Sequence, residues 1–286
     1  MKLLILDYLK LFYRTIVFVL RILQKLVSPN AACFLQNIFL FLLGSQLRFK
    51  FDSHNNLFIA KEKHLIKYFG DMGRGFDLYG RSLFTRGNQL ANQYCINQIM
   101  FDEDDVVVDC GANYADLYLF LDGKIKQENY IAFEPGPIEY KCISKSLPSA
   151  QAHNLGLSNE EGELDFYLCS KLGDSSFIKP KSFTEILKVK VVKLDNFASS
   201  SGINKCKLLK LEAEGLEPEI LIGASNFIKK CEYIAIDGGR ERGINLDLTF
   251  HTLNNYLLNN DFVMLDIYGP IYRGLYKNIK LVNDKL

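Results

Sequence analysis

Two short segments, VVVDCGAN at residues 106–113 and IAFEP at residues 131–135, decide the fold of this chain. Each begins as an apolar run rich in β-branched or aromatic side chains and ends in turn residues, which is typical of a buried strand in a parallel sheet. The first strand ends near Asp109 and the second at Glu134. Open α/β sheets bind ligands at the carboxyl ends of their strands. We therefore expect the two carboxylates to meet at one ligand site.

The turn after the first strand is unsuited to a phosphate group. A dinucleotide site places several glycines there, so that backbone amides can approach a pyrophosphate. Gly111 is present, but Asn113 and Ala115 stand where further glycines would help, and Asp109 would repel a phosphate. A cationic ligand without phosphate fits better. S-adenosylmethionine meets this description, because its amino and sulfonium groups are positive and its ribose diol can donate two hydrogen bonds to a carboxylate such as Glu134.

The composition disfavours several classes of protein. The formal net charge is +1 over 286 residues, without a long basic or acidic run, which argues against a general nucleic-acid binder. The seven cysteines are far apart and form no Cys-x-x-Cys pair, which argues against a disulfide framework and a zinc site. We therefore expect no metal, and reduced thiols in a cytoplasmic protein.

The first 45 residues form a separate apolar segment. On a helix, five charged residues would share one narrow arc: Asp7, Lys10, Arg14, Arg21 and Lys25. A second apolar stretch, residues 31–43, is shorter than the roughly 20 residues that a membrane-spanning helix needs. Three interpretations remain open. They are a helical hairpin packed on the main domain or on a second subunit of a homo-oligomer, a basic amphipathic helix lying peripherally on the inner membrane face, and a transmembrane span.

The chain is predicted to divide into three parts. Residues 1–45 form the helical extension. Residues 46–104 form an accessory part with a β-hairpin (47–51 and 57–60), a loop over 67–86 and a helix over 88–100. Residues 105–286 form the main domain.

The main domain alternates strands with helices, which predicts a doubly wound α/β fold with a mostly parallel sheet. We predict core strands from residue 106 and over 130–133, 150–157, 207–211 and 233–236, and helices over 114–121, 138–146, 217–228 and 248–258. Residues 162–168 and 188–194 are predicted to form a hairpin-like insertion, and 262–268 with 271–276 a closing antiparallel hairpin. This Rossmann-like arrangement is typical of class I S-adenosylmethionine-dependent methyltransferases.

Three acids follow the fourth core strand in the segment LKLEAEGLE, residues 209–217. Glu217 fits the first turn of a helix, where the helix dipole favours an anion. Glu212 or Glu214 could accept the proton of a substrate hydroxyl during group transfer. The alternative is that both acids orient loops around the ligand.

Four motifs resemble the FkbM-type methyltransferase family, over about residues 105–237. They are VDCGAN (108–113), AFEP (132–135), VKLD (192–195) and LKLEAEGLE (209–217). The resemblance implies S-adenosylmethionine as the cofactor and methyl transfer, usually to an oxygen of a sugar or polyketide. By position it implies that the cofactor loop contains Asp109, Gly111, Ala112 and Asn113, and that Glu134 binds the ribose. Glu212 and Glu214 match the acids of the fourth motif, where catalysis is expected.

Two residues depart from the family pattern. Ala115 stands where the family usually has its second glycine, and Glu212 replaces the usual Asp. These departures leave open a catalytically weakened methyltransferase-fold protein that serves as a binding or scaffold module. A third class, an NAD-linked Rossmann enzyme, is disfavoured by the turn after Asp109. The expected acceptor is a hydroxyl of a sugar, glycan or lipid-linked saccharide, because the N-terminal segment suggests work near a membrane.

Overall fold

The structure, a computed structural model, describes residue 22 and residues 26–169 and 174–283. The five charged residues that would share a helical arc, Asp7 to Lys25, lie outside these ranges. Chain contacts separate two compact units, Met1–Leu83 and Phe84–Leu286. The three-part division at residues 45 and 104 remains a prediction. In the described part of the chain, no helix is both long and apolar enough to cross a bilayer.

The first unit joins a helix to a three-stranded antiparallel sheet. Its elements are α1 (Pro29–Leu42), β1 (Arg48–Asp52), β2 (Leu57–Glu62), β3 (Leu65–Phe69) and α2 (Met72–Tyr79). Helix α1 begins with Pro29 at its first turn, behind a Ser28 cap whose hydroxyl accepts a hydrogen bond from Ala31 N at 3.4 Å. The Asn37 side chain then exchanges two hydrogen bonds with the backbone of Phe49, which joins α1 to β1.

The predicted hairpin is confirmed as β1 and β2, to which β3 adds a third strand. The predicted loop over residues 67–86 is wrong, because this stretch contains the end of β3, all of α2 and the start of the next helix. Gly75 in this stretch has a packing role. Asp71 caps α2 by accepting a hydrogen bond from Arg74 N, and a Cβ on Gly75 would lie 2.0 Å from the Phe69 ring. Gly75 therefore lets α2 approach the sheet closely.

The second unit contains twelve strands within the described residues. They are β4 (Val107–Cys110), β5 (Tyr130–Phe133), β6 (Gln151–His153), β7 (Gly156–Leu157), β8 (Gly162–Leu168), β9 (Glu185–Val192), β10 (Cys206–Leu211), β11 (Cys231–Asp237), β12 (Arg240–Arg242), β13 (Asp247–Leu248), β14 (Phe262–Tyr268) and β15 (Arg273–Asn278). The α-helices are α3 (Leu83–Gln93, which starts at the boundary), α4 (Tyr118–Leu121), α5 (Pro137–Ser146), α6 (Leu194–Ser200), α7 (Glu217–Gly223), α8 (Phe250–Leu258) and α9 (Lys280–Asn283).

Seven of these strands form the main sheet, in the order β14-β15-β11-β10-β4-β5-β6. The five strands from β11 to β6 are parallel, and β15 and β14 add to the β11 edge in antiparallel sense. Apolar clusters cover both faces, with α6, α7 and α8 on one side and α3, α4 and α5 on the other. The predicted doubly wound, mostly parallel sheet with an antiparallel C-terminal hairpin is confirmed.

Several boundaries differ from the prediction for local backbone reasons. The helix predicted over residues 114–121 is reduced to α4, because Asn113 and Ala115 take left-handed φ values of 51° and 57°. The strand predicted over 150–157 is split into β6 in the main sheet and β7 in a small sheet of order β7-β9-β8. That small sheet contains the predicted insertion. The last strand begins at Arg273 rather than residue 271, after a 3-10 turn at Gly269–Ile271.

Candidate active site

The loop after β4 is tied to the neighbouring strand and to the loop after β10. Gly111 N and Ala112 N both donate to the Phe133 carbonyl, at 3.0 and 3.1 Å. Gly111 has φ of 67°, and a Cβ there would lie 1.7 Å from the Glu212 carbonyl oxygen. Only glycine fits this close approach without displacing backbone. The first loop therefore lies against the segment that contains the predicted catalytic acids.

Glu134 joins the end of β5 to this loop. Its Oε2 accepts a hydrogen bond from Asn113 N and its Oε1 one from Gly136 N, both at 2.7 Å. The side chain is buried, and burial, together with the charge of Glu139, raises the pKa of the Glu134 carboxyl to about 8. Each oxygen still has the capacity to accept another hydrogen bond.

Asp109 is placed differently from the expectation. Its side chain is buried, accepts a hydrogen bond from the Tyr130 hydroxyl and lies 3.1 Å from the Lys210 ammonium. Burial raises its pKa, against the charge of Lys210. Asp109 is thus paired with Lys210 inside the sheet. Glu134 contacts the loop directly, whereas Asp109 acts on it through Lys210.

Lys210 is the centre of this arrangement. From the middle of the sheet its ammonium donates to Gly111 O at 2.8 Å and to Cys110 O at 3.3 Å. It also lies 2.9 Å from Glu212 Oε2. Burial would lower the pKa of this ammonium, but Asp109 and Glu212 raise it further than burial lowers it. Lys210 therefore stays charged and fixes the carbonyls that begin the loop.

Glu212 is paired with a second cation. Its Oε1 lies 2.5 Å from Arg273 Nη2, and Arg273 Nε lies 2.6 Å from Asp237 Oδ2. The guanidinium also donates to Gln93 Oε1 at 2.9 Å and stacks over the Tyr94 ring. Burial alone would raise the pKa of Glu212, but Lys210 and Arg273 lower it to about 2. Glu212 is consequently held as an anion.

We call the resulting alternation of charges the buried ion chain: Asp109, Lys210, Glu212, Arg273 and Asp237. Sequence reasoning assigned no role to Lys210, Arg273 or Asp237. Lys210 had a signal, since it interrupts the apolar strand Cys206–Leu211. Arg273 had none, because its partners lie 36 and 61 residues away along the chain.

The segment after Glu212 is held in an unusual backbone conformation. Glu214 has φ of 50° and Gly215 φ of 99°. Glu217 Oε1 accepts hydrogen bonds from Ala213 N at 2.6 Å and Gly215 N at 3.2 Å. Arg242 donates to the Gly215 carbonyl and forms a two-pronged ion pair with Glu219. Arg242 is thus engaged within the chain.

Two carboxyl groups that form no ion pair among the described residues, Glu214 and Glu241, lie beside this segment. Burial and the charges of Glu241, Glu212, Asp174 and Glu217 raise the pKa of Glu214 to about 10. Burial and the charges of Asp237 and Glu212 raise that of Glu241 to about 8. A positive ligand would lower both values, since an opposite charge favours the ionised carboxylate.

The His153 ring packs between Phe133 and Phe197, at centroid distances of 5.3 and 4.8 Å, as part of an aromatic cluster. In the described ranges, no group of three or more His, Cys, Asp or Glu side chains is arranged to hold a metal ion.

The sheet order and the acid-rich carboxyl edge define a class, the Rossmann-like methyltransferase fold. Residues 109–264 match the family model described as Methyltransferase FkbM domain, which is more than half of the 286 residues. The chain therefore belongs to the FkbM methyltransferase family.

Similar proteins are 22% to 25% identical to this chain over the aligned residues. Methyltransferase 1 of Beauveria bassiana is 24% identical over 154 residues, which cover 45% of this chain and 62% of that protein. Hexuronic acid methyltransferase AglP of Haloferax volcanii is 25% identical over 141 residues, covering 48% and 56%. 2-O-methyltransferase NoeI of Sinorhizobium fredii is 22% identical over 203 residues, covering 64% and 81%. The chain thus spans less than two thirds of the length of the first two relatives.

Among solved structures, the FkbM methyltransferase of Methylobacillus flagellatus aligns with a TM-score of 0.43 and 18% identity. The alignment covers 63% of this chain and 45% of that one.

Proposed function

We propose that this protein binds S-adenosylmethionine beside Glu134 and the loop that begins at Gly111, and that it transfers the methyl group to a hydroxyl oxygen of a saccharide. The observation that carries the proposal is the Glu134 carboxylate, which is hydrogen-bonded to the loop at Asn113 and lies at the carboxyl edge of a parallel sheet. Membership of a methyltransferase family supports the reaction class.

The residues at this edge fit the proposed cofactor. The carboxylate of Glu134 can still accept hydrogen bonds from a ribose diol, because each of its oxygens has accepted only one bond among the described residues. The surrounding carboxyls suit a ligand with net positive charge at its reactive end. When bound, S-adenosylmethionine would supply an electrophilic methyl carbon on a positively charged sulfur.

We assign the proton-accepting role to Glu214 rather than Glu212. Glu212 lies between Lys210 and Arg273 with a pKa of about 2, so it is a weak base. Glu214 has a raised pKa and has no ion pair among the described residues, so its ionised form is the stronger base. The main contribution of the site would be to hold the acceptor oxygen in line for attack at near-contact distance.

The acceptor is assigned by likeness alone. The names of AglP and NoeI state that those relatives are a hexuronic acid methyltransferase and a 2-O-methyltransferase. We propose a hydroxyl of a sugar, glycan or lipid-linked saccharide for this chain. Incubation with methyl-labelled cofactor and separate glycan and lipid extracts would test this, and label in neither fraction despite cofactor binding would favour the scaffold alternative.

Calorimetric titration with S-adenosylhomocysteine at about pH 9, where the Glu134 carboxyl is ionised, tests cofactor binding. Glu134→Gln should weaken binding by about tenfold or more, because charge-assisted hydrogen bonds contribute roughly 1.5–3 kcal/mol. Glu128→Gln is the matched control, since Glu128 is an exposed acid just before the amino end of β5. A binding heat on titration with NAD, and none with S-adenosylhomocysteine, would instead support the NAD-linked alternative.

We also propose that residues 1–45 contact the inner face of a membrane while the protein remains cytoplasmic. Helix α1 buries Ala32, Cys33, Gln36 and Leu40 on one side. Its other side exposes large apolar side chains, namely Phe34, Ile38, Phe41 and Leu42. The sequence before α1 contributes Lys10, Arg14, Arg21 and Lys25, which suit anionic lipid headgroups.

A further inference from the structure

The insertion formed by β8 and β9 reaches the proposed proton acceptor through one buried side chain. Ser176 forms a backbone bridge with Tyr167 of β8, with N–O distances of 2.8 and 3.1 Å. Its hydroxyl donates to the Glu214 carbonyl at 2.8 Å and accepts from Ile178 N at 3.0 Å. The hydroxyl thus donates one hydrogen bond and accepts one, in a residue that is only 3% exposed.

The hydrogen bond to Glu214 acts on a strained point of the chain. Glu214 has a left-handed φ of 50°, which is unfavourable for a residue with a side chain, so its neighbours must hold it in place. Glu217 and Arg242 hold Ala213 and Gly215 on either side. Ser176 is the side chain that bonds to the backbone of Glu214 itself.

The strongest charges that act on Glu214 among the described residues come from each neighbouring element, while the Arg242 guanidinium is engaged by Gly215 O and Glu219. They are Glu212 and Glu217 on its own segment, Glu241 on β12 and Asp174 on the insertion. All are carboxyls, so together with burial they favour the protonated form of Glu214. If the segment were released, Glu214 could turn into water and lose both effects.

We propose that Ser176 is a positioning residue for Glu214, so that the β8–β9 insertion sets the placement of the proton acceptor. This inference rests on the proposed function. Ser176 acts through the backbone of the segment after β10 rather than by contact with the cofactor.

The test compares the affinities of the full chain for S-adenosylmethionine and S-adenosylhomocysteine between about pH 6.5 and about pH 8.5. These ligands differ by one methyl group and the charge on sulfur. A group that acts equally on both ligands, such as Glu134, therefore has no effect on the ratio of the two affinities. For the wild type, the ratio of the affinity for S-adenosylmethionine to that for S-adenosylhomocysteine should rise with pH as Glu214 ionises. The slope of this ratio should be up to about tenfold per pH unit for the release of one proton. Glu214→Gln should lower this slope.

Ser176→Ala should lower the slope to the value of Glu214→Gln, and Ser176→Thr, which keeps the hydroxyl, should restore it. Ser175→Ala is the matched control, because the Ser175 hydroxyl accepts from Cys169 N within the insertion. It should keep the wild-type slope. A wild-type slope in Ser176→Ala, or a lowered one in Ser176→Thr with an unchanged melting curve, would overturn the inference. A wild type that binds neither ligand would instead overturn the proposed function.

Discussion

Three alternate residues after β4 take the left-handed conformation: Gly111, Asn113 and Ala115, with φ of 67°, 51° and 57°. Gly111 is fixed by the close approach of the Glu212 carbonyl. Asparagine tolerates this region better than most residues, because its short polar side chain can bond locally. Alanine has no such advantage, which explains physically why a glycine at position 115 would be the easier choice.

Ala115→Gly should therefore change the free energy of unfolding by less than about 1 kcal/mol. Relief of the left-handed strain, roughly 1 kcal/mol, is offset by the loss of one buried methyl group, roughly 0.8 kcal/mol. Urea denaturation would measure the change. Gly111→Ala is the contrasting variant, because its Cβ would meet backbone, and it should destabilise by more than about 3 kcal/mol. Equal losses in both variants would contradict this account of the loop.

Buried carboxyls with raised pKa values give stability a definite dependence on pH. Glu134 and Glu241 have values of about 8 and Glu217 about 7, all above the usual 4.5, mainly because of burial. A carboxyl whose pKa is higher in the folded state binds its proton more tightly there. Its contribution is full below about pH 4.5 and is lost as the pH rises through the folded value. Glu212 acts in the opposite direction, and its contribution is lost as the pH falls through about 2.

We expect the urea concentration at the denaturation midpoint of the ligand-free protein to decrease as the pH rises from about 5 to about 9. Glu134→Gln, which mimics the protonated carboxyl, should reduce this fall because one of the titrating groups is gone. The midpoint would be measured by circular dichroism in urea at several pH values. An exposed control such as Glu128→Gln should leave the profile unchanged. A midpoint that rises over this interval would show that these carboxyls are not buried as described.

At the scale of an element, β10 combines an apolar strand with one buried charge, that of Lys210. Lys210 of β10 lies opposite Asp109 of the neighbouring strand β4 in the parallel register. A buried ion pair contributes little by itself, whereas breaking it leaves a single charge in an apolar surrounding. The strand is thus tolerant of losing the pair but not of losing one member.

Lys210→Met should destabilise the protein by about 3–5 kcal/mol, because it leaves Asp109 without its cation. The double variant Asp109→Asn with Lys210→Met should recover most of this loss in urea denaturation. Its affinity for S-adenosylhomocysteine should stay low, because the Gly111 carbonyl still lacks the Lys210 donor. Wild-type affinity in the double variant would mean that the loop does not depend on Lys210.

Elements with strong periodicity were predictable from sequence, and contacts across the sheet were not. The boundaries of β8 and β14 match the predicted residues 162–168 and 262–268, because alternation and flanking turn residues are local signals. Glu134 beside the Gly111 loop followed from parallel neighbours. The burial of Asp109 did not, because it depends on Lys210, which is 101 positions later in the chain. The Arg273 contacts depend on β15 pairing with β11, which no local pattern encodes.

At the scale of the whole molecule, the first unit exposes an apolar surface that neither the fold nor the proposed reaction explains. On α1 it consists of Phe34, Ile38, Phe41 and Leu42. Their spacing of four, three and one places them on one side of a helix. Contiguous exposed apolar residues mark a binding surface more often than a solvated one. The basic residues of the preceding sequence make an anionic bilayer the occupant that we propose.

The full chain should therefore sediment with vesicles containing phosphatidylglycerol and less with vesicles of phosphatidylcholine alone, and salt should weaken the binding. Phe34→Ser with Phe41→Ser should lower the partition coefficient by about tenfold or more, since each buried phenylalanine contributes roughly 1.5–3 kcal/mol. Met100→Ser is the matched control, because Met100 is an exposed apolar side chain of the second unit.

Deletion of residues 1–27 should also reduce pelleting, since it removes the basic residues. Equal pelleting of all forms would exclude the membrane contact. Loss of a dimer in sedimentation velocity on changing the two phenylalanines would instead identify a second copy as the occupant.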